Sequence, residues 1–261
     1  MIDILIYAFL LSVVLLGIHS WYGIEIIRRG IIFTDLAIGQ MAALGAAVSL
    51  RFFDGNYVYI FSLMFALISG LAIALVSRRG RDHEAFIGLL YAFGISAIFI
   101  LLSGSPHGME EIDRLLATDI LFTPHIEIFK TALIYAALGV AIFLANKRLL
   151  GITREIFFFL SFSLTVTSSV RLAGVLVVFA LLVGPALIAS RLGSGRILLK
   201  AWIIGTIINF IAIFLSYTLD YPTGYSIVFA HAITAIFSYL FLIRKREESI
   251  LPTSPPQLRR R

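Results

Sequence analysis

The residue of this chain with the most informative chemistry is an aspartate at the start of an apolar segment. Asp35 is followed by small and aliphatic residues, and Gln40 is the first polar side chain after it. A carboxylate in such a segment is costly unless it faces a wet pathway or a partner. We therefore interpret Asp35 as a functional residue. The alternative is that Thr34 or Asp35 caps the start of a helix.

Two histidines also lie in apolar segments, His19 and His231. A single histidine in such a helix more commonly hydrogen-bonds a neighbour than binds a metal, and a pathway role is the alternative. The chain has no cysteine, so any metal must be held by oxygen or imidazole.

Sequence motifs for nucleotide hydrolysis and for common hydrolases are absent. There is no G-x-x-x-x-G-K-[ST], no H-E-x-x-H and no G-x-S-x-G, and the chemistry of each depends on those residues at that spacing. We predict that this chain is not an enzyme and binds no cofactor of its own.

The composition indicates an integral membrane protein. Hydrophobic residues make up 60% of the 261 residues, charged residues 14%, and the mean hydropathy is +0.99. The first apolar segment, from Ile4 to Trp21, has no basic region before it and is expected to be a retained transmembrane helix. The net charge of +6 lies in short loops and in the tail, where it orients the chain and contacts lipid. We expect no nucleic-acid binding, since no soluble basic domain is present.

The pattern of apolar segments predicts an all-α polytopic bundle of about eight or nine transmembrane helices, each about 17 to 22 residues long. The segment from Glu155 to Ala189 is too long for one helix and too short for two with a real loop. We expect Ser168-Ser169 and Arg171-Leu172 to form a tight turn near the outer face or a broken helix inside the bundle.

The distribution of charge predicts the orientation of the chain. Five clusters of basic residues lie in one set of loops, whereas Asp54, Glu110-Glu111-Asp113 and Asp220 lie on the other side, which places the amino terminus outside and the carboxyl terminus in the cytoplasm. The basic loops contain Arg28-Arg29, Arg78-Arg79-Arg81, Lys147-Arg148-Arg154, Arg191-Arg196-Lys200 and Arg244-Lys245-Arg246. We predict one membrane domain over residues 1–246 and a disordered basic cytoplasmic tail over residues 247–261.

A short surface helix is predicted after the dipeptide Gly184-Pro185. Proline interrupts a helix, and Arg191, Arg196 and Lys200 follow within one stretch, which places this segment at the cytoplasmic surface. A compact helix in that position is suited to docking on another protein.

Four stretches of this sequence resemble the membrane-spanning permeases of ATP-binding cassette (ABC) importers for zinc, manganese and iron. They occur in the order in which that family carries them, and the family shares its core fold with the cobalamin and iron-chelate permeases. The stretches are RRGIIFTDLAIGQMAALGAAV (Arg28 to Val48), LLATDILF (Leu115 to Phe122), LAGVLVVFALLVGPALIASRL (Leu172 to Leu192) and DYPTGYSIV (Asp220 to Val228).

This resemblance implies a multi-pass protein of the inner, or cytoplasmic, membrane that works with several partners. They are a second copy of itself, an ATPase subunit that hydrolyses ATP, and an extracytoplasmic solute-binding protein that delivers cargo. The ATPase contact would be made by Pro185, Ala186, Leu187, Ile188, Ala189, Ser190, Arg191 and Leu192. Asp35 would be a pathway residue that binds the transported metal, with Gln40 as a secondary pathway residue.

The sequence departs from the family at one position that bears on the cargo. The family commonly has a histidine four residues after the aspartate that Asp35 matches, and this chain has Gly39 there. Imidazole is a ligand that zinc favours, so two possibilities follow: Asp35 and Gln40 form a weaker oxygen site, or the cargo is a metal chelate. An ATPase-independent secondary transporter is a further alternative, although its inverted repeats and midplane carboxylates are not visible.

Overall fold

The structure is a computed structural model that describes residues 2–77, 82–104, 120–193 and 195–250. This part of the chain contains nine α-helices and one short 3₁₀ helix, Ile120–Phe122. The α-helices are α1 Ile2–Arg29, α2 Thr34–Phe53, α3 Val58–Val76, α4 His83–Leu102, α5 His125–Arg148, α6 Gly151–Ala173, α7 Val175–Arg191, α8 Ile197–Leu219 and α9 Thr223–Ile250.

The predicted all-α transmembrane bundle is confirmed. Eight of the described helices are long and apolar enough to cross a bilayer, and the ninth, α7, has 17 residues. Each is close to the length that spans about 30 Å of hydrocarbon. Helix α9 extends to Ile250, beyond the predicted tail boundary at residue 247, and residues 251–261 lie outside the described part of the chain.

The break between α6 and α7 lies at Gly174, not at Ser168-Ser169 or Arg171-Leu172 as the sequence suggested. Gly174 has φ +79° and ψ +158°, a backbone conformation that a residue without a Cβ adopts readily. Ser168 stays helical and donates its hydroxyl to the carbonyl oxygens of Leu164 and Thr165. The chain therefore turns at one glycine, without a loop.

Ion pairs link the ends of α6 to the neighbouring helices. At one end Arg29 of α1 pairs with Glu155. At the other end Arg171 lies 3.4 Å from Glu127 of α5, and its guanidinium lies 5.3 Å from the ring centre of Tyr59 in α3. Arg29 and Glu155 thus share one end of the bundle, as the alternating crossing of the helices requires.

Glycines allow the most buried helices to pack backbone against backbone. A Cβ placed on Gly45 of α2 would lie 2.3 Å from the carbonyl oxygen of Phe61 in α3, and one on Gly23 of α1 would lie 1.9 Å from the carbonyl oxygen of Leu182 in α7. On Gly70 of α3 it would lie 2.1 Å from the Ser163 hydroxyl of α6. Such contacts replace the hydrophobic driving force that helices lack in lipid.

This packing encloses α2 and α6. In each, 67% of the residues of the most apolar stretch are buried, against 22% in α4 and α5. Helix α2 packs between α3 and α4, and α7 packs against α1, α8 and α9. The start of α2, which carries Asp35, is therefore held inside the bundle.

We predict that Gly45→Ala destabilises the protein, because its methyl group has no room beside the Phe61 carbonyl. Overpacking of this kind costs about 1–3 kcal/mol, and the melting temperature of the purified protein in detergent should fall. The matched control is Gly88→Ala in α4, where a Cβ meets no atom within 4 Å. That variant should melt at or above the wild-type temperature, since alanine favours a helix over glycine. Equal melting temperatures for the two variants would contradict the packing described here.

Candidate functional site

Asp35 lies in the first turn of α2 and is 2% exposed. The start of α2 has no side-chain capping hydrogen bond, so Asp35 does not take the capping role that the alternative gave it. The Asp35 Oδ1 atom is buried and has no hydrogen-bond partner among the described residues. Thr34 does not cap the helix, because its hydroxyl donates to the carbonyl oxygen of Ile31 at 2.7 Å. One carboxylate oxygen is thus left without a protein partner.

The start of α2 faces the first turns of α7. The Phe33 ring stacks on that of Phe179, with ring centres 6.5 Å apart and planes at 7°. Gly39, one turn after Asp35 on the same face, lies against Val175, since a Cβ on Gly39 would be 2.7 Å from Val175 Cγ2. Asp35 lies between these two contacts along the helix.

The position of Val175 explains why residue 39 is a glycine. A histidine at position 39 would need the space that the Val175 side chain occupies, and a β-branched side chain has little rotamer freedom to move aside. The close approach of α7 at Val175 therefore leaves no room for an imidazole at position 39.

Gln40 does not share a binding site with Asp35. Residues five apart on an α-helix point about 140° apart around its axis. Gln40 faces α4, where its Cβ lies 3.1 Å from the position of a Cβ on Gly94. It is 3% exposed and its Oε1 has no hydrogen-bond partner among the described residues. The two-residue oxygen site considered from the sequence is therefore not assembled in this structure.

A metal would meet few side-chain ligands in this arrangement. In the described part of the chain, no group of three or more histidine, cysteine, aspartate and glutamate side chains is placed to hold a metal ion. Asp35 is the only described acidic side chain that is fully enclosed. It can contact a passing cation, and a second copy of the chain or water would have to supply further ligands.

A buried polar pair of two other residues was not recognised from the sequence. His231 of α9 and Asn209 of α8 are both fully buried and lie 2.8 Å apart, from Nε2 to Oδ1. Nδ1 of His231 has no partner among the described residues and lies 3.1 Å from the position of a Cβ on Gly184. Because the residues belong to different helices, spacing along the chain carries no signal of this pair. His19 bonds the carbonyl oxygen of Leu15 in its own helix, at 2.8 Å.

The predicted helix break at Gly184-Pro185 was wrong. Helix α7 continues through Pro185 to Arg191. A proline is tolerated inside a membrane helix where neighbouring helices pack around it, and Pro185 Cγ lies 3.0 Å from the position of a Cβ on Gly205 in α8. The segment proposed to contact an ATPase is therefore the end of a continuous helix, without a separate surface helix.

Only the end of that segment is available to a partner. Ala186 and Ala189 are fully buried and Ile188 is 8% exposed, whereas Leu192 is 51% exposed. Pro185 is also buried, Leu187 and Ser190 are half-buried, and Arg191 is exposed. The ammonium group of Lys200 donates to the carbonyl oxygens of Leu192 and Gly193, at 3.1 and 3.3 Å. This contact fixes the chain immediately after α7.

Comparison with known proteins gives matches in both sequence and structure. Residues 152–242 match ABC-3, the ABC 3 transport family. A "Probable metal transport system membrane protein" from Thermotoga maritima is 26% identical over 196 residues, which cover 69% of this chain and 68% of that protein. A "Probable iron transport system membrane protein" from Haemophilus influenzae is 23% identical over 258 residues, which cover 92% and 90%.

A chain from the solved structure "PsaBC from Streptococcus pneumoniae in complex with Fab" has a similar fold. It aligns with a TM-score of 0.72 and 19% identity over 94% of each chain. The resemblance predicted from the sequence motifs is confirmed: the chain resembles the membrane-spanning permeases of ABC metal importers, and its carboxyl-terminal part matches the ABC 3 transport family.

Proposed function

We propose that this chain is the membrane-spanning permease subunit of an ABC importer for divalent metal cations: zinc, manganese or iron. Two copies form the pathway across the cytoplasmic membrane, with amino termini outside and carboxyl termini in the cytoplasm. A separate ATPase subunit hydrolyses ATP, and an extracytoplasmic solute-binding protein delivers the ion.

The observation that carries this proposal is the match of residues 152–242 to the ABC 3 transport family. The names of the two relatives, one for metal and one for iron transport, support a metal as the cargo. The excess of basic residues in one set of loops supports the orientation.

The surroundings of Asp35 support a cation as the species that passes it. An enclosed carboxylate oxygen without a hydrogen-bond partner is a costly feature, and a positive ion in transit would satisfy it. Carboxylate and water suit manganese, whereas imidazole suits zinc. Because Gly39 and Val175 take the place of an imidazole, the surroundings of Asp35 favour manganese over zinc.

The exposed end of α7 supports a contact with the ATPase. Ser190, Arg191 and Leu192 are the members of the predicted segment that reach the surface at its cytoplasmic end, and Ala186 and Ala189 anchor it to the bundle. Movement of a docked ATPase would then be transmitted along a continuous helix to the first turns of α7, which face the start of α2.

Uptake of isotopes of zinc, manganese and iron tests the proposed function. Cells that lack their own importers would express this chain with its ATPase and binding protein, the ATPase being active or inactivated. We expect uptake of one ion that is lost with the inactive ATPase. Uptake that persists with the inactive ATPase would overturn the proposal in favour of a secondary transporter. Uptake of a metal chelate alone would overturn the assignment of a free cation.

We predict that Asp35→Asn lowers the rate of metal uptake by about tenfold or more, a typical loss when a group that supports a metal site is removed. The matched control is Asp54→Asn at the opposite end of α2. Asp54 is exposed and has φ +52°, a conformation that asparagine also adopts. Both variants should retain wild-type expression and melting temperature, because Asp35 Oδ1 bonds no protein group. Unchanged uptake in Asp35→Asn would remove Asp35 from the pathway.

We predict that Leu192→Asp abolishes co-purification of the ATPase subunit, because it places a charge in the apolar part of the contact. Leu219→Asp is the matched control, since Leu219 is 53% exposed against 51% for Leu192 and ends α8 on the opposite side of the membrane. The control should co-purify the ATPase like the wild type. Undiminished recovery with Leu192→Asp would show that the ATPase docks elsewhere.

A further inference from the structure

We propose that a groove between α1, α5 and α8 binds one anionic phospholipid of the cytoplasmic leaflet, with an acyl chain in the groove and its phosphate group at Lys147. The groove has a volume of about 590 Å³ and is lined by apolar side chains until it reaches Asn146 and Lys147. This proposal is independent of the cargo and of the ATPase.

Two glycines without close neighbours create the groove. Gly17 of α1 and Gly139 of α5 both line it, and a Cβ on either would meet no atom within 4 Å. This contrasts with Gly23 and Gly45, where a Cβ would collide with the backbone of the next helix. Gly17 and Gly139 therefore leave space between helices, and apolar space at the surface of a membrane protein is filled by lipid tails.

The groove is long enough to hold one acyl chain. From Ala132 to Lys147 it follows α5 for about 22 Å at 1.5 Å per residue. One leaflet contributes about 15 Å of hydrocarbon. The groove thus runs from the membrane surface beyond the middle of the bilayer.

Both tryptophans of the chain, Trp21 and Trp202, line this groove. The indole N–H of Trp202 donates to the carbonyl oxygen of Gly17 at 2.9 Å, which fixes its ring beside the groove. Tryptophan is enriched at the level of lipid headgroups.

The end of the groove is positively charged. The ammonium group of Lys147 lies 4.1 Å from the ring centre of Phe143, and the Arg154 guanidinium donates to Asn146 Oδ1 at 3.2 Å. No carboxylate of the described residues forms an ion pair with Lys147, Arg148 or Arg154. These unneutralised cations favour an anionic headgroup over a zwitterionic one.

A second groove provides an internal comparison. Near the opposite membrane surface, Leu5, Phe9 and Phe214 line a smaller space of about 220 Å³ with no charged residue in its lining. This second groove has room for an acyl chain, but it has no charged side chain that would select a headgroup.

Lipid titration of the purified full-length chain in neutral detergent tests the proposal. The probes are phosphatidylglycerol and phosphatidylcholine with identical acyl chains, and bound lipid is counted by native mass spectrometry. We expect one phosphatidylglycerol per chain with at least about fivefold higher affinity than phosphatidylcholine, as one basic residue near an anionic lipid provides. Equal affinities for the two lipids, or a polypeptide in place of the lipid, would overturn the proposal.

Two variants separate the headgroup from the acyl chain. Lys147→Gln should reduce phosphatidylglycerol affinity about fivefold and leave phosphatidylcholine affinity unchanged. Gly139→Leu should fill the groove and abolish the site for both lipids, whereas Gly88→Leu, at an equally open glycine of α4, should bind like the wild type. Wild-type phosphatidylglycerol binding by Lys147→Gln would overturn the proposal, whether or not Gly139→Leu folds.

Discussion

The close approach of helix backbones holds this bundle together. In a bilayer, lipid tails are as apolar as leucine, so burial of side chains does not draw helices together as it does in water. Gly23, Gly45, Gly70 and Gly205 instead bring the helices within contact distance of each other's backbones and side chains. These contacts fix α2 inside the bundle, and with it the position of Asp35.

Close packing also sets which polar groups find partners. The hydroxyl groups of α6 are satisfied locally or by neighbours: Ser163 donates to Phe159, Tyr22 donates to Ser161, and the hydroxyls of Tyr135 and Ser169 lie 2.5 Å apart. Asp35 Oδ1, Gln40 Oε1 and His231 Nδ1 have no such partner among the described residues. A buried polar atom without a partner is costly, and this distinguishes these three atoms from the hydroxyl groups of α6.

The fold class was predictable because a bilayer requires apolar helices of a fixed length. Such helices are recognised from consecutive residues in the sequence. The exact position of the break at Gly174 was not predictable, because Ser168 and Arg171 are residue types that also occur in turns. In the structure Ser168 hydrogen-bonds within α6 and Arg171 hydrogen-bonds to Glu127 of α5. The helix break predicted at Pro185 was wrong for a similar reason. The loss of a backbone hydrogen bond at a proline is a local effect, whereas Gly205, which leaves room for Pro185, belongs to another helix.

Asp35 of the candidate site was predictable from the sequence, but the contacts around it were not. Asp35 is unusual for an apolar segment and was recognised for that reason. The separation of Gln40 from it follows from helix geometry, whereas the Val175 contact with Gly39 and the His231 pair with Asn209 join distant parts of the chain. The sequence also does not distinguish a glycine that brings helices together, such as Gly45, from one that keeps space open, such as Gly139.

We propose that ATP hydrolysis on another chain drives metal through this one. The most direct test of this proposal is reconstitution of the chain with its ATPase and binding protein in liposomes that contain a metal-sensitive dye, with ATP supplied on the side of the exposed end of α7. We predict metal movement away from the binding protein and toward the ATPase side that requires ATP hydrolysis and stops with a non-hydrolysable analogue. Movement at the same rate without ATP would contradict the account.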